Sequence, residues 1–423
     1  PSEISKPEFK RMTGRLPAQL WSKIKTSAKS YKVTPSVVLC RLYADVLAAF
    51  SSESHFTLNL TLFNRYPVHP EVDQIVGDFT SLLLLELNRQ PGDSFQQRAE
   101  HLQAQLISDL EHRDVSGVKV IRALSQGAQH ATMPVVFTSA LPIQSHEDSD
   151  QDSAYWIGDM VYAITQTPQV WLDHQVFEEQ GDLVYTWDYV ADLFPENLIE
   201  TMFSAYTEHL NQLTDAEHWY ETLQVTEQQF DGISLAVTDD TAPVAAVVDV
   251  SVPAVLLEEM TALWADTLGL EHIPVDESFF KLGGDSLIAT RVLGKVKQAH
   301  SVAISLADFF AKGTTVQSLA ELVVLATTSD QALVPSYPQI IPEPNLRFEP
   351  FPLNDIQRAY WLGRQGTYAL GNVPCHFYSE TTANGVDIGK LTRTWRQMIE
   401  RHEMLRAVIL PTGEQQILAE VPE

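Results

Sequence analysis

The stretch Phe279-Phe280-Lys281-Leu282-Gly283-Gly284-Asp285-Ser286-Leu287 decides how the rest of the chain divides. Paired glycines make a turn that lets another backbone approach closely, and Asp285 can cap free amide donors. Ser286 then opens a helix whose apolar residues Ile288, Val292 and Val296 recur every fourth position. The hydroxyl is therefore expected to be presented at a helix start. A plain capped turn would need no more than Gly-Gly-Asp-Ser, so the context has to decide.

That context is specific. Leu263-Trp264 and Leu268-Gly269 come before the turn, and Asp276-Glu277-Ser278-Phe279-Phe280 leads into it. Asp308-Phe309-Phe310 and Thr315-Val316-Gln317-Ser318-Leu319 follow. In this order the segment resembles the thiolation (peptidyl carrier) domain of nonribosomal peptide synthetases, which implies 4′-phosphopantetheine attached at Ser286 and a phosphopantetheinyl transferase as partner. A polyketide-type acyl carrier is the near competitor, which more usually has Asp-Ser-Leu without the paired glycines and the Phe-Phe lead-in.

The composition on either side bounds what the chain can be. Its 423 residues allow two to four domains, and 44% apolar content can fill sizeable cores. Lysine and arginine total 28 against 55 acidic residues, a net charge of −27 that repels nucleic-acid phosphates and anionic lipid. The leucine run Ser81 to Leu85 is far below the roughly 20 residues a membrane helix needs. Neither nucleic acid nor membrane is an expected partner. Cys40 and Cys375 form no ligand-like pair, so no metal site or disulfide framework is expected, and a reducing cytoplasm fits. His69 and His174 lack a second ligand at metal spacing and read as structural or exposed. The chain starts on Pro1 and ends just after a strand-like run, as a piece of something longer would.

Taken in order, Leu16 to Lys29 has a helical pattern, and Thr34-Pro35 reads as an N-cap followed by a first-turn proline for a helix to about Phe50. His55 to Phe63 alternates as a half-buried strand, and Phe79 to Leu87 reads as a strand buried on both faces. Helices are expected over Ser94 to His112 and Val118 to Leu124. Strands are expected at Val135 to Thr138, Val161 to Thr165, Val170 to Phe177 and Leu183 to Trp187, and Pro195 opens a helix to about Leu213. The acidic run His146 to Ser153 reads as a surface loop. Residues 231–253 and the proline-bearing 327–348 read as linkers. Beyond them, Phe351 to Arg364 contains a helix, Pro374 to Ser379 a strand, Val386 to Glu400 a helix and Leu405 to Leu410 a strand.

Both flanks of the carrier resemble heterocyclisation domains, the condensation-domain variants that couple Cys, Ser or Thr and close the side chain to thiazoline or oxazoline. The carboxyl flank carries Phe-Pro-Leu-x5-Ala-Tyr-Trp-Leu-Gly-Arg from Phe351 and Arg401-His402-Glu403-Met404-Leu405, which resemble the opening of such a domain. The amino flank is similar to its second lobe, through Phe56 to Arg65, Val76-Gly77-Asp78-Phe79-Thr80-Ser81, Pro134-Val135-Val136-Phe137-Thr138-Ser139 and Gln166-Thr167-Pro168-Gln169-Val170-Trp171-Leu172-Asp173. Ordinary condensation domains lack the Phe-Thr-Ser and Thr-Pro-Gln-Val-x-Leu-Asp strings. The family's first-lobe pair of aspartates, with four residues between them, has no counterpart in its proper context. Asp109 and Asp114 share that spacing but belong to a helix end of the second lobe, where they read as coincidence.

The resemblance implies a mixed α/β fold: part of a two-lobe, chloramphenicol-acetyltransferase-like condensation/cyclisation domain, then a four-helix carrier bundle, then the start of a second such domain. The expected boundaries are 1–230 for the second lobe, 231–253 linker, 254–326 carrier, 327–348 linker and 349–423 for the next domain. It implies Thr138 and Asp173 as the catalytic pair, a hydroxyl and a carboxylate suited to moving protons in a dehydrating ring closure. Without the strings, Thr138 would be an ordinary β-branched strand residue and Asp173 a turn acid. Implied partners are adenylation and other synthetase domains, in cis or in trans, and acyl or aminoacyl thioesters; a siderophore is one implied product. Two other readings stay open: a non-catalytic carrier and docking fragment, and an ordinary amide-forming condensation module. By itself the stretch is expected to accept the arm but not to cyclise, with Thr138 and Asp173 facing solvent.

Overall fold

The computed structural model describes residues 7–51, 55–66, 68–69, 71–88, 92–125, 133–141, 158–221, 252–270, 272–279, 282, 284, 286–300, 302, 304, 308–309, 313–328, 340–364 and 373–422. The acidic run and nearly all of the first expected linker lie outside these residues, as does the middle of the second.

The amino-terminal lobe is a six-stranded sheet with helices on one face. Its elements are β1 (Phe9–Leu16), α1 (Ala18–Ser30), α2 (Pro35–Ala49), β2 (His55–Phe63), β3 (Thr80–Asn88), α3 (Phe95–Glu111) and α4 (Gly117–Leu124). There follow β4 (Val135–Ala140), β5 (Asp159–Gln166), β6 (Leu172–Glu179), β7 (Asp182–Val190) and α5 (Leu198–Gln212). The strand order is β1-β7-β6-β4-β2-β3, with β4 parallel to both β2 and β6 and the other joins antiparallel. Strand β5 leaves this sheet.

Local chemistry explains most boundaries. Thr34 accepts the Val37 amide at the start of α2, where Pro35 costs no hydrogen bond because that N–H would be an orphan. Ser94 and Gln97 form a reciprocal capping box on α3. Strand β1 was not expected from the sequence; it pairs along its whole length with β7, and Gly14 gives room to the Tyr185 ring, which lies 2.2 Å from where a Cβ would sit.

On the helical side of the sheet, His174 of β6 is enclosed by Tyr43 of α2, Tyr206 of α5 and Trp187 of β7, at ring centroid distances of 4.7, 4.8 and 5.8 Å. Helices α2 and α3 are joined by a buried charge cluster. Arg41 reaches one oxygen of Asp45 at 2.5 Å, and Arg98 donates to the other from Nε and Nη2 at 3.2 and 3.0 Å.

The carrier region contributes three helices among the described residues, α6 (Ala254–Leu268), α7 (Ser286–His300) and α8 (Val316–Thr328). Trp264, Phe279 and Phe309 stack at its centre with centroids 5.0 to 6.1 Å apart. Gly269 closes α6 in the left-handed region at φ 69°.

The carboxyl-terminal segment holds β8 (Phe351–Pro352), α9 (Asp355–Gly363), β9 (His376–Thr382), α10 (Ile388–Arg401), β10 (Ala407–Ile409) and β11 (Glu414–Ile417). Asn354 and Gln357 form a second capping box, at the start of α9. Strands β10, β11 and β8 make one small sheet, and β9 pairs antiparallel with β5 of the amino-terminal lobe.

Candidate functional site

Strand alternation builds the site. In β6, Leu172, His174 and Val176 enter the core, so Asp173 and Gln175 point to the face away from the helices. Register then sets their neighbours: Asp173 stands between Asp188 of β7 and Val136 of β4, and Gln175 stands opposite Thr138. Thr138 and Asp173 thus lie on one face of adjacent strands, but they are not bonded to each other. The Thr138 hydroxyl donates to Thr61 Oγ1 at 2.9 Å, while Asp173 Oδ2 accepts from Gln175 Nε2 at 2.6 Å.

Asp188 is held differently. Arg11 of β1 grips it with two hydrogen bonds, Nε to Oδ1 at 2.6 Å and Nη2 to Oδ2 at 2.5 Å, the bidentate geometry that is strongest for this pair. The Thr165 amide of β5 donates to Asp188 Oδ2 at 3.0 Å, its hydroxyl donates there too, and the same hydroxyl accepts from Gln175 Nε2 at 3.0 Å. Thr165 therefore ties the departing strand back across the polar face.

These surroundings set the proton affinity of Asp173. Burial pushes its pKa up to about 6; the facing Asp188 carboxylate adds to the rise, while the Gln175 amide and Arg11 oppose it. Its Oδ1 is sealed from solvent, with no hydrogen-bond partner among the described residues. The Asp173 carboxylate is among the groups that raise the Tyr360 phenol of α9, after burial itself and the neighbouring Cys375 and Asp78. Thr138 and Asp173 are both half-buried, and within Asp173 it is Oδ1 that is shielded from solvent.

The residues that sequence reasoning did not single out are Arg11, Thr61, Thr165, Gln175, Asp188 and Tyr360. For Gln175 a signal was present, since it follows Asp173 by two in an alternating strand. Asp188 and Arg11 meet only through the β1–β7 register. Asp109, by contrast, lies in α3 with its pKa raised by burial and Glu86, and takes no part in this face.

Ser286 is the first residue of α7. Its side chain, Gly283 and Asp285 lie outside the described residues. Gly284 is described: its amide donates to the Phe279 carbonyl at 2.9 Å, and a Cβ there would fall 2.3 Å from the Phe279 ring. Only glycine lets the chain pass over the aromatic core and deliver the serine at the mouth of the helix, an arrangement that fits a bulky group attached at that point.

A family model described as "Condensation domain" matches residues 2–230. The chain belongs to the condensation-domain family. A second model, "Phosphopantetheine attachment site", matches residues 258–323, so the chain also has a carrier whose prosthetic group is 4′-phosphopantetheine. Bacitracin synthase 1 of Bacillus licheniformis is 38% identical over 238 residues, 55% of this chain and 4% of that one. Pyochelin synthetase PchE of Pseudomonas aeruginosa is 36% identical over 216 residues, 51% of this chain and 15% of that one. Phenyloxazoline synthase MbtB of a Mycobacterium species is 38% identical over 188 residues, 44% and 16% of the two chains. Among solved structures, the EpoB cyclization-docking bidomain from Sorangium cellulosum is 41% identical, with a TM-score of 0.47, over 52% of this chain and 45% of that one. The mixed α/β condensation fold and the carrier expected from the sequence are both present. No helix among the described residues is long and apolar enough to cross a membrane.

Proposed function

We propose that this condensation domain is of the heterocyclising kind, coupling Cys, Ser or Thr and closing its side chain to a thiazoline or oxazoline, with Asp173 and Thr138 as the residues that serve ring closure. The observation that supports it most is the Asp173 carboxyl, raised by burial to about 6 on the polar face of β6. Ring closure takes a proton from the attacking thiol or hydroxyl and delivers one to the oxygen that leaves as water. A carboxyl titrating near neutral pH can do both in turn. Gln175 fixes one carboxylate oxygen by its amide. Thr138, anchored by Thr61, presents its hydroxyl two residues along the same face. The name of the phenyloxazoline synthase relative agrees with a cyclising assembly.

Ser286 is the residue we assign to the arm, which when attached supplies a thiol that carries acyl groups as thioesters. The domain limits we assign are 1–230 for the lobe, 254–326 for the carrier and 349–423 for the next domain, with linkers 231–253 and 327–348. A thiazoline- or oxazoline-bearing siderophore is the product class we assign to the parent assembly, and a reducing cytoplasm its compartment, in keeping with Cys40 and Cys375 both being free thiols. The deciding experiment is product mass from the parent synthetase with Asp173→Asn. Accumulation of the uncyclised amide, heavier than the ring by one water, supports the assignment; equal loss of amide and ring overturns it.

A further inference from the structure

A cavity of about 110 Å³ lies between helices α2 and α3 and the sheet of the amino-terminal lobe, on the side where Phe137 meets His174 and so behind the polar face. Its walls are apolar: Leu60 of β2, Leu85 of β3, Leu102 of α3 and Phe137 of β4 are all buried. The size approaches that of an engineered core cavity of about 150 Å³ that takes up benzene. Phe63, 43% exposed, and the half-buried Leu62 and Leu141 mark the side nearest the surface.

One side of the cavity is lined with hydroxyls, from Thr34 at the cap of α2, Ser36 in its first turn and Ser139 of β4. Thr34 is buried; its oxygen accepts the Val37 amide, while its own hydrogen has no acceptor among the described residues. Ser36 and Ser139 share one hydrogen bond at 2.8 Å, and whichever donates, the hydrogen of the other is left over from it. The Ser36 amide sits in the first turn, where a helix offers no internal acceptor. Donors left without acceptors in an apolar hollow are costly, and a few convergent polar groups on one side of apolar walls are the usual make-up of a small-molecule site. No lysine, arginine or histidine is among the lining residues, so a carboxylate entering here would lose its water without gaining a counter-charge.

We infer that this cavity is a binding site for a small neutral aromatic molecule carrying a single hydroxyl or carbonyl oxygen, with the ring among the leucines and Phe137 and the oxygen accepting from the hydroxyls at the α2 cap. Thr61 also lines the cavity, and its Oγ1 accepts the Thr138 hydroxyl, so the bound molecule abuts the residue that anchors Thr138. Binding requires nothing of the reaction proposed for that face, and its outcome is separate from that of the cyclisation test.

Phenol is the probe, with benzene as the comparison that lacks the oxygen and benzoate as the charged one. In melting experiments on the full chain, phenol should raise the transition of the amino-terminal lobe saturably, because a ligand that binds only the folded state stabilises it by mass action. Benzene should act more weakly and benzoate not at all. Cys40 is buried in the cavity wall, and Cys40→Met lengthens its side chain into the space. Leu106→Trp fills the same space from α3, so the test does not depend on one variant folding. A folded filled variant should show no response to phenol. Ser36→Ala combined with Ser139→Ala keeps the apolar walls and removes the paired hydroxyls, and should weaken phenol several-fold while leaving benzene unchanged. No saturable response to phenol in the unaltered chain, or a response that survives filling, would overturn the site. A response to benzoate equal to that of phenol, or a phenol affinity untouched by the double variant, would overturn the chemistry assigned to it.

Discussion

Asp173 and Asp188 face each other across the β6–β7 ladder, yet Asp188 is gripped by the Arg11 guanidinium and Asp173 by a neutral amide from Gln175. Two carboxylates in register cannot both ionise cheaply. Arg11 is bonded to Asp188 and not to Asp173, and burial of the Asp173 carboxyl leaves it as the proton holder. Removing Arg11 should upset that division. Arg11→Met leaves Asp188 without its cation, and because the two acids then compete for ionisation, the pH profile of ring closure should broaden and shift. A profile identical to that of the unaltered protein would make Arg11 merely structural.

Replacing Asp173 with Asn keeps the size and the Gln175 contact but removes the proton site. Ring closure should fall by about 10²–10⁴-fold, the usual worth of a positioned acid or base. Amide formation should fall much less. Thr138→Ala should act in the same direction but more weakly, since the hydroxyl is bonded to Thr61 and not to the carboxyl. Quantifying open and closed products from the parent assembly checks both.

Incubation with coenzyme A and a phosphopantetheinyl transferase should add one arm, at Ser286, and Ser286→Ala should remain unmodified by intact mass. Gly284→Ala is the more searching variant. Its methyl group meets the Phe279 ring at 2.3 Å, inside the Trp264–Phe279–Phe309 stack, so the turn or the core must shift. Overpacking of this kind costs about 1–3 kcal/mol, and arm transfer should slow although the serine is intact. Unchanged melting and unchanged transfer would show that the turn has room to spare.

How far the sequence could be read follows from the range of the forces involved. Thr34-Pro35 and the β2 alternation are local signals, and α2 begins and β2 runs where those residues predict. Strand β1 escaped notice because Phe9 to Leu16 alternates only weakly, and its stability comes from pairing with β7 more than 160 positions later in the chain. The polar face illustrates the same limit: Asp173 and Thr138 stood out through family strings, whereas Arg11, Asp188 and Thr165 become neighbours only once register is fixed. The seat of α9 on Pro168 and Asp78 joins residues nearly 200 or more positions apart, and nothing in either stretch alone predicts it.

The α2–α3 junction offers a stability test remote from the site. Asp45 is buried between Arg41 and Arg98, both themselves buried. Asp45→Ala would leave two guanidinium groups without their anion in the core, and losses of about 3–5 kcal/mol are usual when one partner of a buried pair is removed. Urea denaturation of the full chain should show this in the transition of the amino-terminal lobe, with the carrier transition unmoved.

The last prediction joins two neighbours on opposite faces of β6. Asp173 is raised by burial from 3.8 to about 6, and His174 is lowered by burial from 6.5 to about 3. For the acid, the unfolded chain gives up its proton first as pH rises, so stability falls between about pH 4 and 6. With about 1.4 kcal/mol for each pH unit separating the folded and unfolded titrations, the carboxylate costs the fold about 3 kcal/mol above that window. For the histidine, the unfolded chain takes up a proton below about 6.5 while the folded ring, caged by Tyr43, Tyr206 and Trp187, stays neutral, so stability falls as pH drops. By pH 4 that amounts to about 3 kcal/mol in the opposite direction. The two slopes nearly cancel in the unaltered protein between pH 4 and 6. Asp173→Asn removes one of them. The variant should therefore be more stable than the parent by about 3 kcal/mol at pH 7, lose that advantage on acidification and match it near pH 4. His174→Phe should shift the balance the other way, gaining on the parent as pH falls below 6.5. Denaturant titrations at half-unit steps from pH 4 to 7.5 measure both differences directly. A pH-independent difference between Asp173→Asn and the parent would mean that the Asp173 carboxyl titrates alike in the folded and unfolded chain, and it would remove the poised proton on which ring closure depends.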